Sequence, residues 1–335
     1  MAKIAIIGAG AIGSTLGALL ERAQQAVTLI AHSDHVKAMG ENGLSVNGAL
    51  GTFTTHPRVA EKLDFRPDYV FLTVKTQDVL PALQASRAFL EGVPVVTFQN
   101  GMRSDELVAT LIPPGQIISA VVNIGASYLT PGTVTINYPG SLIIGRPFGE
   151  LDPEVNTIAS LLNAVVPTRA SANIKGAHCL KLILNLNNAL PAITNLGMTQ
   201  VYADSYLRQL AVRVMREGIK VVNRAHIRME TLPDASVTLV QMMAILPIQL
   251  AASITAGRVR RIQREWPLIG STLQSLRRGR PTEIDYLNGE IARLGRQQNI
   301  ATPLNTAIVE MVHQIEKDGQ FWPVEKIREY LLAAH

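Results

Sequence analysis

The feature that most constrains this chain is a glycine-rich turn near its N-terminus. The apolar run Lys3–Ile7 leads directly into GAGAIG at residues 8–13, and the helix-forming stretch Ser14–Arg22 follows. A strand that turns on G-x-G-x-x-G into a helix suits a pyrophosphate. The first glycine permits the turn, the second admits the phosphate, and the third lets the helix pack on its strand. This order favours a dinucleotide site over a plain glycine-rich turn. The residues predicted to contact the ligand are Gly8, Gly10, Ala11, Ile12 and Gly13.

The length of 335 residues suits two domains better than one. In the first half, short apolar runs alternate with helical patterns, which is typical of a parallel sheet covered by helices. The predicted strands are Lys3–Ile7, Ala26–Ala31, Tyr69–Val74, Pro94–Phe98 and Ile117–Val122. The predicted helices between them are Ile12–Arg22, Asp78–Leu90 and Ser104–Leu111.

The alternation of strands and helices stops in the segments that follow. Thr133–Asn137 and Ser141–Gly145 read as antiparallel strands split by the turn Pro139-Gly140, and Glu154–Val165 reads as a helix. From Ile174 onward almost everything has helical spacing. We therefore predict an α/β fold: an N-terminal Rossmann-type parallel-sheet domain over residues 1–168, followed by an all-helical domain over 169–335.

One uncharged stretch, Ala235–Gly257, is long enough to span a bilayer. Several polar residues dilute it and Pro247 breaks it, so a buried or dimer-forming helix pair is the favoured interpretation over a membrane span. A homodimer is therefore plausible. The single cysteine, Cys179, fits a reducing compartment and is expected to be a small buried side chain. With no signal peptide at the N-terminus, the sequence predicts a cytoplasmic protein.

Polar residues follow two core strands of the predicted sheet. Lys75 comes directly after Tyr69–Val74, and Gln99-Asn100-Gly101 follows Pro94–Phe98. In open α/β sheets the ligand lies beyond the carboxyl ends of the strands. Lys75 and Gln99-Asn100-Gly101 are therefore equally well interpreted as ligand-binding residues or as ordinary solvated surface residues.

A polar stripe crosses the first helix of the C-terminal half. Lys181, Asn185 and Asn188 stand at i, i+4 and i+7, so they share one helix face among leucines and isoleucines. The stripe is either a solvated face or a functional one. Asparagine is a poor helix former, and an exposed face more often carries Glu, Lys or Arg.

The arginine-rich run at 277–280 leads to a further pair of acids. Thr282 or Pro281 is predicted to start the next helix, with Glu283 and Asp285 in its first turn. Acids at that position commonly do no more than interact with the helix dipole. From physics alone, Glu283 is a weak candidate.

Taken together, these motifs resemble the ketopantoate reductase family over essentially the whole chain. The resemblance is carried by GAGAIG, Val74-Lys75, Gln99-Asn100-Gly101, the helix KLILN from Lys181 and, most specifically, STLQSLRRGRPTEIDYLNG from Ser271. Members of this family use NADPH to reduce 2-ketopantoate to pantoate, in pantothenate and coenzyme A synthesis. The resemblance implies NADP(H) as cofactor and an active site in the cleft between the two domains.

The resemblance also implies roles for single residues. Lys181 matches the catalytic lysine that protonates the substrate carbonyl oxygen, which is sensible chemistry for an ammonium. Glu283 matches the acid that contacts the substrate hydroxyl and helps hold the lysine. Ser271 and Asn185 match substrate-orienting positions, and Asn100 and Lys75 match residues near the nicotinamide and substrate.

The chain departs from the family pattern at two points. The family's second helix asparagine falls on Ala189, with Asn188 as a candidate replacement. At the end of the second strand, where many relatives have an arginine for the 2′-phosphate, this chain has Ala31-His32-Ser33. No acid stands at that strand end to exclude NADP, and Asp34 is interpreted as an N-cap. His32, Ser33 and Lys37 are candidates to hold the phosphate, which favours NADP over NAD.

Two alternatives stay open at this point. One is the same scaffold acting on another 2-keto acid or an opine-like substrate, and the other is a non-catalytic NADP-sensing protein. Scattered histidines and one cysteine predict no metal site. The net charge of +5, without interleaved aromatic residues, predicts no nucleic-acid partner.

Overall fold

The structure, a computed structural model, describes residues 1–266 and 269–333. The chain divides into two compact units, Met1–Lys175 and Gly176–His335. The division falls a few residues after the boundary expected at 168/169. Its physical reason is a short strand, Thr168–Ala170, which pairs in parallel with Leu142–Gly145 and extends the sheet of the first unit.

The first unit, which is described in full, contains twelve strands and five α-helices. The strands are β1 Lys3–Ile7, β2 Ala26–Ile30, β3 Leu44–Gly48, β4 Phe53–Thr55, β5 Arg58–Ala60, β6 Tyr69–Leu72, β7 Val95–Thr97, β8 Ile117–Val122, β9 Gly125–Thr130, β10 Thr133–Tyr138, β11 Leu142–Gly145 and β12 Thr168–Ala170. The helices are α1 Ala11–Arg22, α2 Ser33–Asn42, α3 Val79–Ser86, α4 Ser104–Ala109 and α5 Pro153–Asn163.

The main sheet has the order β12-β11-β8-β7-β6-β1-β2-β5. Strand β1 pairs in parallel with β2 and β6, so that Ile7 lies opposite Ile30 and Leu72. Alternate residues of β1 enter separate apolar clusters, Ile4 in one and Ala5 in the other. Both faces are therefore covered, which explains the continuous apolar runs in the sequence. The predicted parallel-sheet fold is confirmed, and the strand ends that carry polar residues meet at one edge.

A second sheet, of order β4-β3-β10-β9, was not expected from the sequence. Thr133–Tyr138 belongs to it, pairing with β9 and β3, whereas Leu142–Gly145 pairs antiparallel with β8 in the main sheet. The two late strands therefore do not form a unit of their own. Gly140, at positive φ in the turn between them, packs directly against the backbone of Asn123.

In the described part of the second unit the regular elements are helical, apart from one isolated bridge between Leu232 and Ala235. The α-helices are α6 Ile174–Asn185, α7 Ala189–Thr194, α8 Met198–Ala203, α9 Ser205–Arg224, α10 Val237–Ile245, α11 Ile248–Glu265, α12 Ser271–Arg277, α13 Asn288–Gln297, α14 Pro303–Asp318 and α15 Val324–Ala333. Helix α6 starts at the end of the first unit and continues into the second. The predicted all-helical character is confirmed.

The apolar stretch Ala235–Gly257 forms a helix pair, α10 and the start of α11, with Pro247 as the N-cap of α11. Proline has no N–H to donate and fixes its own φ, so the chain breaks there as predicted. Among the residues that the structure describes, we find no helix with the length and hydropathy needed to cross a membrane.

Candidate active site

The glycine turn lies at the carboxyl end of β1. The N–H groups of Gly8 and Ala9 both donate to the carbonyl of Ile30 at the end of β2, at 3.0 and 3.1 Å. Helix α1 begins at Ala11 with Gly10 as its N-cap, and its first turn holds no acidic side chain. The first N–H groups of a helix have no partner within it, so this helix start suits an anion.

Each glycine of the turn has a different environment. Gly8 has a φ of +108°, and a Cβ there would lie 2.6 Å from the backbone nitrogen of Val74. A Cβ at Gly13 would lie 2.2 Å from the carbonyl oxygen of Gly8, whereas one at Gly10 would meet nothing within 4 Å. The fold itself therefore needs Gly8 and Gly13. Gly10 is free of that constraint, as expected for a glycine that lets a phosphate approach the backbone.

Gln99 ties together the ends of two neighbouring strands. Its Nε2 donates to the carbonyls of Leu72 and Val74, at 2.8 and 2.9 Å. These bonds fix the backbone that leads into Lys75. Lys75 and Asn100 are both partly exposed and follow these strands at the same edge of the sheet. The structure therefore brings together the strand-end residues singled out from the sequence.

The end of β2 carries the residues predicted to select the cofactor. His32 and Ser33 are exposed, as the N-cap and first residue of α2, and Lys37 is exposed one turn later. The prediction that Asp34 is an N-cap is wrong, because α2 begins immediately after His32 and places Asp34 in its first turn. The residues predicted to hold a 2′-phosphate thus stand at the start of a helix, with the carboxylate of Asp34 in the same turn.

These features fit a nicotinamide dinucleotide. The helix start and the open side of Gly10 suit its pyrophosphate. In addition, two buried side-chain oxygens, Gln77 Oε1 and Gln99 Oε1, have no hydrogen-bond partner among the described residues. A buried acceptor without a partner is costly, and the cofactor offers hydroxyl and amide donors.

In the second unit, Lys181 lies in α6 with its side chain partly buried. Burial lowers the pKa of Lys181 from 10.5 to about 8, and the negative charge of Glu283 opposes this shift. Burial disfavours the ammonium and a nearby carboxylate favours it. A lysine of this pKa is still charged at pH 7 and gives up its proton more readily than an ordinary one.

The two asparagines predicted to share the face of Lys181 contact each other. Helix α6 ends at Asn185 and a single 3-10 turn, Leu186–Asn188, follows. Asn188 Nδ2 donates to Asn185 Oδ1 at 3.3 Å. The family asparagine position, Ala189, is only 1% exposed, so Asn188 and not residue 189 presents a polar group on this side.

Ser271 and Glu283 come from segments much later in the chain. Ser271 is exposed and starts α12. Its neighbour Gly270 packs against Asn188, since a Cβ there would lie 3.4 Å from the Asn188 Cβ. Glu283 precedes a 3-10 turn, Ile284–Tyr286. The prediction that Glu283 and Asp285 lie in the first turn of a regular helix is wrong, because the backbone turns away at Leu287 and α13 begins only at Asn288.

The turn that carries Glu283 is held by α14. Glu316 accepts a hydrogen bond from the backbone N–H of Thr282 at 2.7 Å. His313 lies between Glu316 and Asp285, at 2.8 and 3.1 Å. These two carboxylates raise the pKa of His313 against the effect of burial. Thr282 and Asp285, on either side of Glu283, are thereby both held by α14.

A buried amide network that the sequence did not reveal supports the 3-10 turn after α6. Asn288 is fully buried, and its Nδ2 donates to the carbonyl of Leu186 and to Asn305 Oδ1. Asn305 in turn donates to Glu217 at 2.8 Å. Asn288 lies in the segment STLQSLRRGRPTEIDYLNG, which carries the family resemblance, but nothing local in the sequence distinguishes it from a solvated residue.

Profiles of one family cover most of the chain. The profile described as ketopantoate reductase PanE/ApbA matches residues 4–148, and the one described as its C-terminal part matches residues 173–316. A 2-dehydropantoate 2-reductase of Pyrococcus horikoshii is 28% identical over 319 residues, which cover 95% of this chain and 98% of that protein. The enzyme of the same name from Mesorhizobium japonicum is also 28% identical, with 93% and 97% covered.

Solved structures are similar over the same length. A PanE/ApbA family ketopantoate reductase from Ralstonia eutropha superposes with a TM-score of 0.79 at 28% identity, covering 94% of this chain and 98% of that one. A D-mandelate dehydrogenase in complex with NADH and anilino(oxo)acetate has a TM-score of 0.80 at 24% identity, with the same coverage. This second likeness concerns the fold alone. The chain belongs to the ketopantoate reductase family and is an NADP-dependent oxidoreductase.

Proposed function

We propose that the protein catalyses the NADPH-dependent reduction of 2-ketopantoate to pantoate, a step towards pantothenate and coenzyme A. The single observation that carries this proposal is the state of Lys181: partly buried, with its pKa lowered to about 8 and the charge of Glu283 acting on it. The near full-length similarity to 2-dehydropantoate 2-reductases supports the same substrate.

Cofactor binding is assigned to the first unit. The glycine turn receives the pyrophosphate at the start of α1, while His32, Ser33 and Lys37 take the 2′-phosphate at the start of α2. Lys75 and Asn100 lie near the nicotinamide. NADPH, when bound, supplies a hydride to the carbonyl carbon of the substrate.

Lys181 supplies the proton. As the carbonyl oxygen of the substrate gains negative charge, the ammonium stabilises it and then transfers a proton to it. Lowering the pKa of Lys181 towards the working pH makes that transfer easier. Glu283 limits the shift, because its carboxylate stabilises the charged form of the lysine that must be present before reaction.

The remaining polar groups orient the substrate. Glu283 accepts a hydrogen bond from the hydroxyl of ketopantoate, and the amides of Asn185 and Asn188 bind its polar groups together with Ser271. A keto acid with a hydroxyl in reach of Glu283 is then favoured, since a substrate that lacks it leaves a polar group without a partner.

Another 2-keto acid is the second candidate substrate. The observation that favours it is Ala189, whose buried methyl group replaces the family asparagine. Asn188 offers an amide close by but from a different backbone position, which changes the shape available to the substrate side chain. The non-catalytic NADP-sensing alternative has less support, because both the lysine and the acid are present.

The test is a substrate panel. Initial rates are measured with 2-ketopantoate, other branched and aromatic 2-keto acids and opine precursors, each with NADPH and NADH. We expect the highest kcat/KM for ketopantoate with NADPH. If another acid ranks first, the second candidate replaces this substrate, and tight NADPH binding without turnover on any acid supports the sensor.

A biosynthetic reductase of this kind is expected to act in the cytoplasm. Exposed apolar side chains on α10 and α11, among them Met242, Ile245 and Leu250, suit a homodimer. Light scattering after size-exclusion chromatography measures the oligomeric state directly.

A further inference from the structure

His35 is a buried histidine on α2 that has no assigned role in the proposed reaction. Its side chain is 3% exposed, and its ring packs on Tyr128 of β9 with 4.5 Å between centroids. Its Nδ1 accepts a hydrogen bond from the backbone N–H of Gly132 at 2.8 Å, and its Nε2 lies 3.2 Å from Ser14 Oγ. Ser14 Oγ donates to the carbonyl of Ala9 at 2.9 Å. A continuous path of hydrogen bonds therefore runs from Gly132 to the glycine turn.

This path determines which ring nitrogen of His35 carries the proton. Because the N–H of Gly132 can only donate, Nδ1 must be the unprotonated nitrogen, and the neutral imidazole then carries its proton on Nε2. Nε2–H donates to Ser14, whose hydroxyl is left to donate to Ala9. Burial lowers the pKa of His35, which also favours the neutral ring.

One end of the path is rigid. Gly132 has a φ of +76°, and its carbonyl accepts a hydrogen bond from the N–H of Ser45 at 2.9 Å. A Cβ on Gly132 would lie 3.2 Å from the Cβ of Ala38, so the turn between β9 and β10 packs closely against α2. The second sheet thus provides a fixed support for the His35 ring.

The other end lies within the glycine turn. The carbonyl of Ala9 is held by Ser14, and the N–H of Gly10 donates to the carbonyl of Gly8 at 2.8 Å. The peptide plane between Ala9 and Gly10 is therefore fixed on both sides. Its orientation sets where the following N–H groups at the start of α1 point.

We propose that His35 is a positioning residue for the dinucleotide. Through Ser14 it holds the Ala9–Gly10 peptide in the orientation that receives the pyrophosphate, and it ties the first turn of α2 to the first turn of α1. Because its ring is almost fully buried, we assign it no direct contact with cofactor or substrate. The inference rests on the proposed function, because it takes the glycine turn as the phosphate site.

Two conservative variants distinguish the hydrogen bond from Gly132 to His35 from the one that His35 donates to Ser14. His35→Asn retains an oxygen near the position of Nδ1 and loses the donor to Ser14, whereas His35→Gln places an amide nitrogen near Nε2 and retains that donor. The Kd of NADPH, measured from the fluorescence change on binding, should rise about 10-fold in His35→Asn and less than about threefold in His35→Gln. The kcat at saturating NADPH should stay within about twofold of wild type in both.

Met39→Ala is the matched control. Met39 is also buried on α2, and its truncation lowers the Tm by leaving a cavity without changing the path. Its NADPH Kd should stay within about twofold of wild type. Ser14→Ala should reproduce His35→Asn, and the double variant should bind no more weakly than either single one, as expected for residues acting through one path.

Equal Kd values for the two His35 variants, or an increase in Met39→Ala as large as in His35→Asn, would overturn the inference and leave the proposed function intact. Failure of the wild-type protein to bind NADPH would instead contradict the proposed function, and this inference with it.

Discussion

The candidate sites of the two units differ in the kind of group that forms them. In the first, the site is mainly backbone: a glycine turn, the start of α1 and strand ends held by Gln99. In the second, it is a cluster of side chains in which the negative charge of Glu283, from a distant turn, favours the charged form of Lys181 on α6. A backbone site depends on shape, and a side-chain cluster depends on burial and protonation. Substitutions in the two units should therefore have different signatures.

The largest effect is expected from the second unit. Lys181→Ala removes the proposed proton donor and should lower kcat by about 100-fold or more while the NADPH Kd changes little. Steady-state rates and direct NADPH binding measure the two quantities. Lys175→Ala, which removes an exposed lysine from the same helix, is the control and should stay close to wild type. Turnover near the wild-type rate in Lys181→Ala would exclude this lysine from the reaction.

Two glycines of the first unit test the backbone site. Gly10→Ala should weaken NADPH binding about 10-fold without lowering the Tm, because its Cβ meets no protein atom within 4 Å. Gly13→Ala should lower the Tm as well, since its Cβ would lie 2.2 Å from the carbonyl oxygen of Gly8. Thermal unfolding with and without NADPH separates the two effects. A loss of stability in Gly10→Ala equal to that in Gly13→Ala would contradict the distinction.

The charge coupling in the second unit predicts a pH dependence. The proposed reaction needs protonated Lys181, so kcat/KM should be level below the lysine's pKa of about 8 and fall as pH rises through it. Glu283→Gln removes the charge that raises this pKa and should move the falling limb to lower pH. At pH 8 we expect a loss of about fivefold from that shift.

Asp285→Asn is the matched control for this prediction, because it removes a carboxylate two positions away that faces His313. The limb should keep its position in that variant. A limb that stays in place in Glu283→Gln would show that the carboxylate does not act on the lysine.

The smallest expected effect concerns the substrate side chain. Asn188→Ala removes the amide that contacts Asn185 and should raise the KM for ketopantoate about threefold, with the NADPH Kd unchanged. Comparing ketopantoate with smaller 2-keto acids sharpens the test, since a binding role lowers the preference between them. A change in NADPH affinity instead would place Asn188 outside the substrate group.

The difference between the units also explains what the sequence could predict. The span of β1, Lys3–Ile7, and that of β8, Ile117–Val122, were predicted to the residue, because buried parallel strands read as apolar runs bounded by turns. The glycine turn is equally local: strand, turn and helix adjoin in the chain.

Pairing between distant segments was less accessible. The short strands β3 and β4 carry mixed polar and apolar residues and pair with each other, and β10, the other partner of β3, lies far along the chain. Nothing local distinguishes Thr133–Tyr138 from Leu142–Gly145, although they join different sheets. The link from His35 to Gly132 depends on the same long-range packing.

In the second unit, periodicity placed Lys181, Asn185 and Asn188 together but left a solvated face equally possible. Only the resemblance to a family connected this face with Glu283. Physics alone interpreted Glu283 as a helix-dipole partner, because the 3-10 turn at Ile284–Tyr286 depends on contacts with α14.

Helix α6 also carries the one cysteine of the sequence, Cys179, two positions before Lys181. Its side chain is buried, and burial raises the pKa of its thiol to about 12. Since the thiolate is the reactive form, alkylating reagents should modify it only when the helix transiently unfolds. The labelling rate of the native protein therefore reports how often helix α6 opens, and slower labelling with bound ligands would measure how far they rigidify it without any introduced probe.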